Sequence, residues 1–394
     1  MSMIGQSATV LGAGIAGLAA ARALALRGAD VTVLEQAPAL GDIGAGLQIS
    51  PNGAEVLHAL GLGPTLRQAA LRATGVRLCD GLTGATVLRM DLARLRPDLG
   101  WHLVHRADLI TLLAGGARDA GVTITTDTQV HRVDLRQDRA VALTPDDRRV
   151  ETGLLIGADG LNSVLRAALN TGSAPFFTGQ VAWRALIAGN PGDPPEVEVH
   201  MGPHRHLVTY PLRGGTLRNI VAVEERTEWT AEGWNHKDDP DALRRAFAGF
   251  GPRVRGWLEA VDVTFLWGLY RHPVAARWGQ ALPRGGAAIV GDAAHPTLPF
   301  LAQGANMALE DAWVLAASLA GGDTIAAGLA AYQSARRERC VRIVEAANRN
   351  ARAYHLSGLT RRLGHAGLRA VGAVAPGLML RRFDWLYRHD VTKA

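Results

Sequence analysis

Short apolar runs closed by glycines recur along most of this chain, and the first is the most regular. An apolar run from Ala8 ends in Gly12-Ala13-Gly14-Ile15-Ala16-Gly17, an Ala/Leu-rich helical run follows, and Gly28 releases the chain into β-branched Val31-Thr32-Val33-Leu34. The pattern predicts strand, glycine turn, helix and second strand. Pro51-Asn52 then opens a helix to Leu60 that stops at Gly61. Short β-like runs alternate with turns over 74–105, Arg106 sits where a strand hands over to a helix, and Val122–Thr126, Val130–Leu135 and Ala140–Thr144 read as further short strands. Another apolar strand ends in Gly157-Ala158-Asp159-Gly160, after which Asn162 or Ser163 caps a helix.

From Phe176 to Arg226 the texture changes to longer alternating strands, Val181–Ile187, Val197–Met201, His204–Leu212 and Leu217–Glu225. No crossover helices separate them, so an antiparallel sheet is expected. The period of two puts His206, Val208 and Tyr210 on one face, and Trp183 and Arg184 on opposite faces, leaving open which of those two looks into a pocket. A strand Thr264–Pro273 follows. Ala287 to Val290 then delivers Gly291-Asp292-Ala293-Ala294-His295-Pro296, and a helix begins near Gln303. Two long helices, about 304–320 and 324–353, and a helical tail to Tyr387 complete the chain, the tail's apolar stripe being read as packing rather than membrane contact. The layout is an α/β fold: a Rossmann-like dinucleotide-binding domain (1–175, carrying the inserted strands 74–105, and 276–354), an antiparallel-sheet substrate domain (176–275), and a C-terminal helical segment (355–394).

Composition narrows the function. The formal charge is +6, but the bases are scattered as single or paired arginines such as Arg244-Arg245 and Arg336-Arg337, so nucleic acid is not expected as a partner and anionic small molecules are. No charge-free apolar stretch reaches membrane-spanning length. Met1 to Gln6 carries no basic residue and Arg22 breaks the apolar run, which argues against a secretory signal and for the cytoplasm. Cys79 and Cys340 belong to no CxxC or Cys/His cluster, so no metal site is expected.

The chemistry sits at the turns. Gly12 permits a tight turn, Gly14 lets backbone approach a pyrophosphate, Gly17 lets helix lie on strand, and Glu35 ends the second strand where a carboxylate meets a ribose diol. A 2′-phosphate would meet a like charge there, which favours FAD or NAD over NADP. A lone glycine fingerprint arises by chance in Gly/Ala-rich chains; strand, helix, second strand and acid together do not. The glycine-rich loop 41–52, including Gln48, suits backbone passing a ligand, against the alternative of a plain surface loop. Asp159-Gly160 and Asp292 end strands where open α/β sheets bind ligands, and the helix after Gln303 aims free N–H groups at whatever lies over it. A strand histidine is usually structural, so His206 as a base is weighed against core packing.

In order, these motifs make the chain resemble the single-component FAD-dependent aromatic hydroxylases, the salicylate and 3-hydroxybenzoate hydroxylase branch in particular, from about Ala8 to Tyr354. The resemblance implies a FAD-binding domain, NADH or NADPH as co-substrate, molecular oxygen, and hydroxylation of a phenolic aromatic acid through a flavin hydroperoxide; a homodimer is compatible with it. It implies that Gly12, Gly14, Ala16 and Gly17 cradle the pyrophosphate and Glu35 the adenosine ribose. It also implies that Gln48, Arg106, Asp159, Gly160, Asp292, Gly304, Ala305 and Asn306 line the cofactor, and that His206, Tyr210, Pro299 and Gln303 touch substrate, with His206, Tyr210 and Gln303 catalytic. Gln36-Ala37 departs from the basic residue common after the ribose acid, and Gln48 replaces a histidine of pyridine-ring hydroxylases, which leans toward benzene rings. No C-terminal thioredoxin-like domain is expected. The readings that compete are the same scaffold acting on a heteroaromatic, isoprenoid or polyketide substrate, a flavin-free nicotinamide dehydrogenase, and a non-catalytic flavin-binding module.

Overall fold

A computed structural model describes residues 3–41, 44–172, 174–228, 230, 232 and 236–393. Asp42 and Ile43 of the glycine-rich loop, and Trp229, Ala231 and Gly233–Asn235 between the strands that end at Glu225 and begin at Thr264, lie outside the described residues.

The first sheet has six strands in the order Gly279–Leu282, Gly285–Ile289, Leu154–Gly157, Ser7–Leu11, Asp30–Leu34, Thr123–Thr125. All but the first pair run parallel. Parallel neighbours end on the same side. The turns after Leu11, Gly157 and Ile289, which carry Gly14, Gly160 and Asp292, therefore emerge together although they are far apart in sequence. Helix Ile15–Ala25 lies on the sheet without a side chain at Gly17, where a Cβ would stand 1.9 Å from the Gly12 carbonyl oxygen. Ser163 caps helix Val164–Leu169, accepting from Arg166 N–H at 2.9 Å.

The second sheet has eight strands, ordered Lys237–Asp238, Thr264–Arg271, Phe176–Ala188, Leu217–Glu225, Arg205–Leu212, Glu196–Gly202, Gly75–Asp80, Thr86–Asp91. It is antiparallel with one exception: Glu196–Gly202 pairs in parallel with Gly75–Asp80. The hairpin over 75–91 comes from far upstream, so no local crossover helix is needed to bring its first strand in parallel. One face packs Trp183, Leu207 and Ile220 on helices Pro240–Ala246 and Pro252–Glu259. The other face looks toward the first sheet.

Helices Gly304–Gly321 and Ile325–Tyr354 close the first sheet, and the chain then returns over the second as Gly358–Val374, Leu378–Arg381 and Asp384–Tyr387. The tail is docked by Arg361 on Asp80 (2.6 Å) and by Arg96 on Asp384 (3.0 Å). Its apolar positions divide, however. Leu380 and Leu386 are buried, whereas Leu359, Leu363 and Val374 are 69%, 64% and 87% exposed, so the stripe does not all serve packing. No helix among the described residues is long and apolar enough to cross a membrane.

Candidate active site

Between the two sheets lies one cavity of about 750 Å³ whose lining includes Gly14, Ala16, Arg106, Gly160, Asp292, Pro299, Gly304 and Ala305. Gln48, His206, Tyr210 and Gln303 line it as well. At the cofactor end the wall is largely backbone. Gly14 caps helix Ile15–Ala25 with no side-chain bond to its first N–H groups, and a Cβ on Gly14 would meet nothing within 4 Å. Helix Gly304–Gly321 likewise begins without a side-chain cap. Two free helix N-termini on one cavity make a site for anionic groups. The turn feeding the second is strained, since Ala302, a non-glycine lining residue, holds φ at 53°.

Gly12 and Gly17 do not line the cavity; they pack behind it. Gly12 has φ of 97° and lies so close to the Ala158 carbonyl that a Cβ would stand 2.6 Å from its oxygen. Glu35 sits at the base of the turn, its carboxylate accepting from the N–H of Ala13 (2.6 Å) and of Ala37 (2.9 Å), with further lone pairs left for a ribose diol.

Asp292 reaches the cavity from the 3₁₀ turn Gly291–Ala293. Its exposed surface faces this cleft, whose depth pushes the carboxyl up in pKa against the opposing pull of His295 and Arg106. Asp159 departs from expectation. One carboxylate oxygen accepts from Val164 N–H at 2.9 Å, holding the turn, and the other is buried without a partner, so Asp159 shapes the loop while Gly160 lines the cavity.

At the other end the wall is side chains. The alternation His206, Val208, Tyr210 faces the cavity as expected, and the open choice between Trp183 and Arg184 resolves to Arg184. Trp183 is buried on the far face against Phe247. Burial, reinforced by the like charge of Arg106, brings the Arg184 guanidinium down to about 10, and its carbon lies 5.0 Å from the centre of the Trp267 ring. The Tyr210 hydroxyl is pushed up by burial, opposed by Arg184 and a bond from Gln48.

Three expected contacts are placed differently. Gln48 turns its amide to this chamber, bonding Tyr210 and accepting from Trp101 Nε1 at 3.3 Å, rather than toward the cofactor end. Gln303, 1% exposed, spends its amide on Ser50 Oγ (3.0 Å) and Asn52 Nδ2 (3.1 Å). Asn306 is fully buried and joins Ser50 N–H, the Gln48 carbonyl and the Ala302 carbonyl at 2.9, 3.0 and 2.8 Å. Both amides pin the glycine-rich loop to the late helix, because a buried amide left unpaired would cost about 1–3 kcal/mol.

Behind them lies an ionic knot the sequence pattern did not announce. Arg336 bonds both Glu310 and Asp311, Arg339 bonds Glu310 at 2.9 Å, Asn52 donates to Glu310 at 2.6 Å, and His295 bonds Asp311. Burial alone would raise Glu310, but Arg336 and Arg339 hold it at about 2. Also missed was the tail: Leu368, Met379, Leu380, Phe383, Trp385 and Tyr387 wall the chamber, with Tyr387 against Trp101 at 4.7 Å between ring centres. Only their apolar spacing signalled this, and that signal does not say which cavity is covered.

Residues 6–347 match the family described as FAD binding domain. The chain is 35% identical to a 3-hydroxybenzoate 6-hydroxylase of Klebsiella oxytoca, over 90% of each chain. It is also 35% identical to a 3-amino-4-hydroxybenzoate 2-monooxygenase of Streptomyces platensis, over 80% of this chain and 79% of that one. Among solved structures it is similar to Klebsiella pneumoniae HpxO complexed with FAD and uric acid, at 27% identity and a TM-score of 0.80 over 93% of each chain.

Proposed function

Since the chain belongs to the FAD-binding aromatic monooxygenases, we propose that it hydroxylates a phenolic aromatic acid, of the hydroxybenzoate class, at the chamber walled by His206, Tyr210 and Arg184. The observation that carries this reading is the single cavity shared by the glycine and aspartate turns and by the inner face of the second sheet, where His206, Tyr210 and Arg184 stand among apolar side chains.

The residues present fit FAD. Open space over Gly14, an uncapped helix start beside it, and Asp292 facing the cleft are what a pyrophosphate and a ribityl chain need, and Glu35, with lone pairs left beyond its bonds to Ala13 and Ala37, would accept from the ribose diol. A second uncapped helix start at Gly304 suits the flavin pyrimidine and favours negative charge on it, by about 0.3–2 kcal/mol. When bound, FAD supplies the oxygen activation that no side chain here provides.

This chain's own groups do the rest. Electrostatic influence runs from Asp292 to Arg106, from Arg106 to Arg184 and from Arg184 to Tyr210, so cations stand between the cofactor end and the chamber. A substrate carboxylate is attracted there. His206 is held neutral by burial and by the neighbouring His355, and a neutral imidazole can accept the phenolic proton. The phenolate that results is the electron-rich ring the reaction requires. Thr297 to Leu301, the second sheet and the tail keep water out.

The test is purification with a visible spectrum, then NADH and NADPH oxidation screened against hydroxybenzoic acids, with the product identified by mass. A yellow protein whose nicotinamide oxidation rises with a hydroxybenzoate, yielding a product 16 mass units heavier (one oxygen atom added), is expected. A flavoprotein that no phenolic acid stimulates overturns the reading.

A further inference from the structure

Behind His206 a line of polar groups leaves the chamber and ends at the surface. His206 Nδ1 lies 2.7 Å from His355 Nε2, and His355 Nδ1 lies 2.7 Å from Glu225 Oε1. The other oxygen of Glu225 is 2.8 Å from His204 Nδ1. His206 is 2% exposed, whereas the side chains of Glu225 and His204 are 39% and 62% exposed, so the line runs from interior to solvent.

The end group fixes the direction of every bond. An ionised carboxylate only accepts, and the bonds of Glu225 to His204 and His355 outweigh its partial burial and keep it ionised. His355 therefore donates from Nδ1 and, being neutral, accepts at Nε2. His206 then donates from Nδ1, which leaves Nε2 as its bare nitrogen on the cavity it lines. Both imidazoles are set in the tautomer that passes a proton outward.

We propose that His206, His355 and Glu225 form a proton relay that carries the substrate's phenolic proton from the closed chamber to solvent, His355 and Glu225 acting as positioning residues through His206. The proposal rests on the phenolic-acid reading above. In it the phenolic O–H bond breaks as His206 Nε2–H forms, His206 Nδ1–H breaks as His355 Nε2–H forms, and His355 Nδ1–H breaks as the proton passes to Glu225 and on to water. The same three transfers in reverse return a proton to the product phenolate as it leaves and restore both tautomers, so the cycle closes with no net charge left inside.

Among the described residues, His355 is the polar group bonded to His206 Nδ1, and aromatic rings flank His206. Phe300 and Tyr354 cover its ring at 5.7 and 5.1 Å between centres. The groups facing His355 are Glu225, which raises its pKa, and His204 and Arg205, which lower it; burial is the larger effect and holds it below the ordinary histidine value. Arg205 is itself paired with Glu224 at 3.3 Å. Three chain segments build the line: the strand Arg205–Leu212, its neighbour ending at Glu225, and the residue after the long helix Ile325–Tyr354. His204 N–H bonds the His355 carbonyl at 3.2 Å, so the backbone holds the third segment to the first.

The test uses the FAD-loaded enzyme mixed with 3-hydroxybenzoate in dilute buffer containing a pH indicator, in a stopped-flow instrument at pH 7, alongside His355→Gln and Glu225→Gln. Wild type is expected to release a proton to the indicator on binding. His355→Gln should slow that release at least tenfold with flavin content and substrate Kd within about twofold of wild type. Glu225→Gln, at a half-exposed position that tolerates change, should slow it less and shift the pH profile of kcat, and Glu225→Asp should restore both. Release rates and pH profiles unchanged in both variants overturn the relay while leaving hydroxylation intact. A wild type that releases no proton on binding also overturns it, and one that neither binds nor hydroxylates any phenolic acid overturns the reading beneath it too.

Discussion

The two ends of the cavity are built from different materials. The cofactor end is made of backbone: glycines without side chains to obstruct, two helix starts and three strand ends. The chamber end is made of side chains drawn from the second sheet, the loop Thr297–Leu301 and the tail. Backbone recognition demands particular residues at particular spacings, whereas a chamber wall demands only volume and polarity. The first end should therefore break at single glycines, and the second should retune.

The largest effect is expected at Gly17. A Cβ there would overlap the Gly12 carbonyl, a fixed backbone atom, so Gly17→Val must part helix Ile15–Ala25 from the central strand. Purified Gly17→Val should carry no flavin absorbance and melt at least 10 °C below wild type, a cost of at least about 8 kcal/mol at this chain length. Retained flavin would show that the helix has room the geometry denies it.

Next comes the knot that joins the two ends. Arg336→Ala removes the one cation that Glu310 and Asp311 share, leaving Glu310 to Arg339 and Asp311 to His295, and breaking a buried ion pair in this way typically costs about 3–5 kcal/mol. The same knot sets an acid limb. Glu310 is held at about 2 when folded, below its ordinary carboxylate value, so its contribution is complete above that ordinary value and is lost as pH falls toward about 2. Thermal unfolding between pH 6 and 3 should show a steeper decline for wild type than for Glu310→Gln. Parallel curves would place the acid sensitivity elsewhere.

This contrast also explains what the sequence disclosed. The three turns were legible because glycine at Gly12, Gly14 and Gly17 and aspartate at Asp292 answer to steric and electrostatic demands that leave a residue signature. Parallel strands then bring them together by rule. Asp159, Gln303 and Asn306 were legible as polar residues at the right place, yet Asp159 and Asn306 serve the loops and not the cavity, and Gln303, on the cavity wall, spends its amide on Ser50 and Asn52, since spacing says where a residue sits and nothing about which bond it makes. Arg184 and the tail were not legible. Alternation assigns Arg184 to a face without saying which face is inner, and Leu380 or Tyr387 acquires its meaning only once the chain has folded back over a sheet made of residues 75 to 271.

At the chamber end Arg184→Gln should act on binding. Removing one partner of a buried charge pair costs roughly 2–4 kcal/mol, about 30-fold to several hundredfold in KM for a carboxylate substrate. Flavin content should not change, and a neutral phenol lacking the carboxylate should lose far less. Equal losses for acid and neutral phenol would assign Arg184 to the cofactor or to the shape of the wall.

The smallest effect is expected at Tyr387, and its smallness is informative. Its ring packs on Trp101 and on Phe383 at 6.0 Å between centres, and its hydroxyl is pushed up in pKa by burial, first of all, and by Tyr354. Tyr387→Phe keeps the ring and removes one oxygen, so a residue that only walls the chamber should change stability by under about 1 kcal/mol and KM by under about threefold. Peroxide released per nicotinamide oxidised, which reports water entering the chamber, should stay at the wild-type level because the volume is still filled. A tenfold fall in kcat would mean instead that the hydroxyl touches the substrate, and the tail would then belong with His206 and Tyr210 as a source of specific contacts rather than with the leucines that close the wall.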